Sequence, residues 1–190
     1  ILARFARTHP KVDLSVCCMG SLELMAAIEK GELDLAIVTH CEGAVRGEII
    51  RREPLYWVYS QRHRAHLEDV VPLALGSVTC SWRQAAETAL DRVDSRYRVI
   101  YTSWNASAIA ATVLSGLAVS VMPESTLRQG MSILDMPDRF PPLPDCNIGL
   151  ARGANAHVGP VSALADHVTE LLDNFAERSA GRTLEQINAG

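Results

Sequence analysis

The sequence predicts an α/β protein of two lobes, each a mostly parallel sheet flanked by helices. Three observations carry that expectation. Residues 12–38 read strand, helix, strand with short connections, the grammar of a parallel sheet covered by helices. Residues 71–130 repeat the alternation after a break in composition, which implies a second unit built like the first. Finally, residues 159–179 form the strongest amphipathic helix of the chain, with Val161, Leu164, Val168, Leu171, Leu172 and Phe175 on one stripe. A stripe of that width needs an apolar surface to cover.

Each element has a local reason. Ile1, Leu2, Phe5 and Ala6 share a helical stripe with arginines opposite, and Pro10 marks the end of that first helix. VDLSVCC, residues 12–18, alternates Val12, Leu14, Val16 and Cys18 against Asp13, Ser15 and Cys17, the period of a strand. Gly20 and Ser21 open the helix SLELMAAIEK, with Ser21 as cap and Gly31 as stop. Residues 33–38 then read as a strand buried on both faces. Residues 47–61 hold two β-rich runs divided at Glu53-Pro54, and the second, aromatic run ends in the basic loop QRHRAH. Beyond it come the strand VPLALG, the helix CSWRQAAETALDRV, the strand YRVIYTS, the helix NASAIAATVLSG, the strand AVSVMP and the short helix ESTLRQG. PPLPDCNIGLARG is a proline-stiffened connection and a strand. The expected division is residues 1–60 with 147–178 as the first lobe, 61–146 with the hinge strands as the second, and 179–190 as a polar tail.

Composition removes several function classes. A chain of 190 residues with 48% hydrophobic and 21% charged content buries a substantial core rather than remaining disordered. A net charge of −4 gives no long-range attraction to nucleic acid. Five cysteines, two of them adjacent, make a poor disulfide framework and fit a reducing cytoplasm. No CxxC supports zinc, and neither a metal nor a cofactor is expected. The start, ILARFARTHP, interleaves apolar residues with arginines, unlike a signal peptide. Residues 106–123 are long and weakly charged, yet Ser115-Gly116 breaks them into a helix and a strand, so no membrane span is expected.

FARTHPKVDLSV, GSLELMAAIEKGELDLAIVT, RREPLYWVYS and SGLAVSVMPES, in that order and spacing, resemble the effector-binding domain of LysR-type transcriptional regulators. The resemblance runs from about residue 1 to 175, and REPLYWV, PLAL, YRVIYTS and PPLPD look most like the LrhA/HexA/PecT-type branch. It implies a type II periplasmic-binding-protein-like fold, a small-molecule effector in the interlobe cleft, and a homodimer or higher homo-oligomer. DNA would be met only through an amino-terminal helix-turn-helix domain that these residues do not contain. The family's first strand, with its serine- or threonine-bearing loop, would lie before Ile1.

The candidate effector contacts are Ser21, Thr39, Cys80, Ser81, Thr102, Ser103, Asn105, Met122 and Pro123. Thr39 and His40 end a strand, and the carboxyl ends of strands face the ligand crevice in open α/β sheets, with His40 read as a rim residue. Ser21, Ser103, Asn105 and Ser81 stand at or beside helix amino termini, where free N–H groups and the helix dipole favour an anion such as a carboxylate. Capping its own helix is the competing role for each of them. Trp82 and Trp104 are candidates for an apolar wall, with ordinary packing the favoured fate of Trp82.

Enzyme readings have little support. GxSxG, HExxH, GxGxxG and a P-loop are all missing, and no acidic pair argues for general acid and base work. A thiol enzyme using Cys41 or Cys80 and a free-standing solute-binding protein are the rivals to a sensing domain, and a redox-sensing Cys80 is a lesser variant. His63 and His66 read as surface residues of a basic loop. Arg46, Arg51, Arg52, Arg62 and Arg64 with Tyr56, Trp57 and Tyr59 suggest a nucleic-acid strip. Strand alternation instead sends those arginines to solvent and the aromatics to the core.

Overall fold

The computed structural model describes residues 2–41 and 47–179, with side chains described as far as residue 172. Phe175 of the terminal stripe, Arg46 and the tail from residue 180 lie outside that description. Two compact units divide the described chain: residues up to Arg52 with 147–179 form the first, and Glu53–Cys146 the second.

In the first unit, β1 (Leu35–His40), β8 (Cys146–Arg152) and β2 (Glu48–Glu53) form a sheet of order β1-β8-β2. β8 runs antiparallel to β1, pairing Leu35 with Arg152 and His40 with Asn147. Alternation along these strands sends side chains to two helices. Ala36, Val38 and Ala151 meet Ile28, Leu24 and Met25 of α2 (Ser21–Glu29) on one face. On the other, Ile50, Leu150 and Ile148 meet Ala165, Val168 and Leu172 of α5 (Gly159–Ser179). Phe5 of α1 (Leu2–Thr8) is buried, stacks on His9 at 4.2 Å and lies 6.1 Å from the His167 ring of α5.

Three expectations change here. Among the described residues, 12–18 join no ladder: Val12 and Leu14 are half-buried, but Ser15 to Met19 are all exposed, so the alternation is present without a described strand partner. β1 is not buried on both faces, since Ile37 is 45% exposed on an edge strand. The sheet pairing is also more antiparallel than the strand-helix-strand order implies, because β8 returns from the far end of the chain between β1 and β2.

In the second unit, β4 (Val71–Leu75) and β5 (Tyr97–Thr102) pair parallel, and β4 touches the segment leading into β6 (Ser120–Pro123) through a parallel bridge, Leu73 to Val119. β3 (Leu55–Ser60) pairs antiparallel with both β6 and β7 (Met131–Ile133). β3 therefore belongs with the second unit, although the sequence division places it in the first. Pro54 separates β2 from β3, and the unit boundary falls one residue earlier. α4 (Ala106–Leu114) lays Ile109, Ala110 and Val113 on Val58, Ala74 and Met122, while Ala86, Ala89 and Leu90 are the buried residues of α3 (Ser81–Arg92). Gly116, at φ 80°, ends α4 in a left-handed conformation, and a Cβ there would stand 2.1 Å from the His63 ring.

Leu90 is completely buried. Leu90→Ala should lower the unfolding free energy of the second unit by about 2–5 kcal/mol. Urea unfolding followed by circular dichroism, beside the parent protein, measures it.

Candidate functional site

The first unit joins two of its candidate residues directly. Gly20, not Ser21, is the cap of α2, and its N–H donates to the Glu23 carboxylate at 3.1 Å. Ser21 is thereby released from capping, and its Oγ accepts from the Thr39 backbone N–H at 3.0 Å. One hydroxyl thus ties the start of α2 to the carboxyl end of β1. Thr39 is half-buried, and His40, read as a rim residue, is 7% exposed opposite Asn147. Asn147 Nδ2 donates to the Cys41 carbonyl at 3.1 Å and steadies the chain where β1 ends.

In the second unit, the parallel register brings Leu75 beside Thr102, and the Ser103 N–H donates to the Leu75 carbonyl at 3.1 Å. The loops that open α3 and α4 consequently leave the same sheet edge. Cys80 is the cap residue of α3, and its carbonyl accepts from the Gln84 N–H. Its side chain sits against Gly76, where a Cβ would come within 2.6 Å of the Cys80 Cβ. Asn105 caps α4 through its side-chain oxygen, which accepts from Ser107 N at 2.9 Å and Ala108 N at 3.4 Å. Ser103 Oγ accepts from the Asn105 N–H at 3.0 Å. Ser81 is half-buried and Thr102 exposed. Hydroxyl, thiol and amide groups therefore surround two helix starts whose dipoles favour negative charge.

The remaining candidates are placed differently. Met122 is 2% exposed in the core cluster, and Pro123, opposite Leu55, is also buried. Beside them Tyr56, opposite Met122, has its phenol pushed above its ordinary value by burial and then by Glu124 and Asp145. Trp82 donates its indole N–H to Cys146 Sγ at 3.1 Å, which is packing, whereas Trp104 is exposed. Cys41 is buried.

The basic stretch divides unexpectedly. Arg52, Arg62 and Arg64 are exposed, but Arg51 is 7% exposed and reaches the Leu172 carbonyl of α5 at 3.4 Å. The aliphatic stem of arginine allows such burial beneath a helix. His63 is exposed, while His66, expected at the surface, is buried against the Tyr59 ring at 4.1 Å. Its neighbour Ala65 is also buried, and this short apolar step inside QRHRAH was the available sequence signal.

Among the described residues, no group of three or more His, Cys, Asp or Glu is placed to hold a metal ion, and no helix is long and apolar enough to cross a membrane.

The family model described as the LysR substrate binding domain matches residues 1–173, and the chain belongs to that family. It is 32% identical over 173 residues to the HTH-type transcriptional regulator DgdR of Burkholderia cepacia, covering 90% of this chain and 58% of that protein. The chain thus spans a little over half the length of that relative. Among solved structures, it resembles the regulatory domain of Synechocystis PCC6803 CcmR in complex with 2-PG, with TM-score 0.66 and 17% identity over 90% of this chain and 88% of that one. It also resembles the effector-binding domain of QuiR in complex with shikimate, with TM-score 0.63 and 16% identity over 88% and 86%. At those identities the likeness is one of fold.

Asn105→Ala removes the acceptor of two helix-start N–H groups. It should cost about 1 kcal/mol of stability in the second unit, read as a lower urea midpoint with an unchanged slope.

Proposed function

We propose that this chain is the effector-sensing domain of a cytoplasmic transcriptional regulator, not an enzyme, and that DNA is met through another domain of the whole protein. The family match over residues 1–173 carries the reading. Identity to a regulator named for a helix-turn-helix supports the transcriptional role. The effector is a small anion, a carboxylate being the favoured class. Thr39 in the first unit, and Ser103 and Ser81 in the second, are the hydrogen-bonding candidates, each taken within its own unit. Helix starts with hydroxyls beside them suit an anion, and shikimate, bound by the domain of QuiR, is itself a carboxylate. Effector binding favours one of two conformations, and the difference in affinity between them is what reaches the DNA-binding domain.

The test begins with a thermal-shift screen of small carboxylates, followed by calorimetric titration of a hit into parent, Thr39→Val and Ser103→Ala proteins. Each substitution removes a hydroxyl and should weaken binding by about 1–3 kcal/mol where a buried partner is left unpaired, with melting temperature nearly unchanged. Unchanged affinity in both variants would move the ligand site elsewhere and return Thr39 to the role of a turn residue.

The domain also self-associates through its apolar edges. Among the described residues, 12–18 run without a ladder partner and expose Val16 at 63%, and β5, paired there with β4 alone, exposes Ile100 and Tyr101. Unpaired apolar edges of this kind are templates for another chain. Sedimentation velocity at high micromolar concentration should show a dimer, and Val16→Lys should shift it to monomer. A parent protein that remains wholly monomeric would remove the intrinsic interface.

A further inference from the structure

We propose that His66 is a proton-operated latch, whose protonation opens the turn Ala65–Leu67 and releases the strap of residues 134–145. This device lies within the second unit and does not depend on the effector reading.

The strap is fastened at a few points. Trp57 donates its indole N–H to the Pro141 carbonyl at 2.8 Å and meets the Phe140 ring edge-on at 5.4 Å. Leu134 N–H donates to the Trp57 carbonyl at 3.0 Å. In the middle, the N–H groups of Arg139 and Phe140 both donate to the Met136 carbonyl, and the Arg139 guanidinium donates to the Glu68 carbonyl. That last bond joins the strap to the residue that follows the turn Ala65–Leu67.

His66 is the weak member of this joint. It is 8% exposed, and its Nδ1 is buried with no hydrogen-bond partner. A neutral ring tolerates this as the unprotonated tautomer at Nδ1, but a protonated ring carries an N–H there that needs an acceptor. Among the described residues, the surroundings offer none with a negative charge. From β3 comes the Tyr59 ring, from β4 no titratable group, from the strap Arg139, and from the turn's own flank Arg64. Glu68 is the nearest acid in sequence, and its carboxylate faces outward toward Arg98 at 4.0 Å. A third positive charge beside Arg64 and Arg139 therefore finds relief only when the ring reaches water. The ring leaves by opening Ala65–Leu67, and the Glu68 carbonyl moves with it.

The direction in pH follows. Burial first, then Arg64 and Arg139, hold the imidazole below its ordinary value of 6.5. A released ring titrates near that ordinary value, so the latch is fully held above it and is lost as pH falls through the lower value of the buried ring.

Nuclear magnetic resonance of the 190-residue protein reads the strap through the Trp57 indole N–H. Between about pH 7.5 and pH 5.5, its protection against hydrogen exchange, corrected for intrinsic rates, should fall severalfold in the parent. The Ala89 and Leu90 amides of α3 should keep theirs. His66→Phe preserves a ring against Tyr59 without a proton to gain, and should hold the strap equally at both pH values. Arg139→Gln cuts the link instead and should leave the indole weakly protected throughout, which keeps the test informative if His66→Phe does not fold. A flat parent profile, an equal pH response in His66→Phe, or loss of α3 protection in step with the strap would each overturn the latch.

Discussion

The first unit depends on a strand that the chain supplies last. β8 lies between β1 and β2, so neither of those strands has its central partner until residues 146–152 are in place. The ladder from Leu35–Arg152 to His40–Asn147 then sets which side chains of β1 face α2 and which face α5. A slip of one residue would exchange Ala36 and Val38 for Leu35 and Ile37 beneath α2. The Thr39 N–H would no longer meet Ser21 Oγ. Register in the sheet and placement of the candidate site are thus one constraint.

The second unit reaches a similar arrangement by another route. Parallel pairing of β4 with β5 puts two strand ends at one edge, and each end leads through a short polar loop into a helix. Capping at α4 uses a side chain, while at α3 the Cys80 carbonyl and the close approach to Gly76 serve instead. Polar groups near a helix start hold the backbone and also present spare valences. At Ser21 the hydroxyl oxygen accepts from Thr39 while its proton stays available to a further acceptor.

Most helices were legible because their signals are local. α2 to α5 each show apolar periodicity with a recognisable start or stop, and Pro54 marks the break between β2 and β3. What escaped depends on partners distant in sequence. LYWVYS reads as a buried strand in either unit, and only its ladders with β6 and β7 assign it. The alternation in residues 12–18 is that of a strand, but alternation does not provide a neighbour. Met122, a candidate effector contact near the end of β6, is covered by the packing of α4. His66 and Arg51 have polar names and buried side chains, since a ring can stack and an arginine stem can lie under a helix. β7 is three residues long, too short for periodicity to announce.

The discontinuity of the first unit has a consequence for synthesis. Glu53–Cys146 is a contiguous stretch, so during translation the second unit has all its strands before the first has its middle one. β1, α2 and β2 leave the ribosome early and wait with their apolar faces uncovered while roughly a hundred residues follow, a span over which exposed strands are open to mispairing. The nascent chain thus completes its inserted piece first and its outer piece last. A stop or cleavage before residue 146 would leave one finished unit joined to an amino-terminal segment unable to close its sheet.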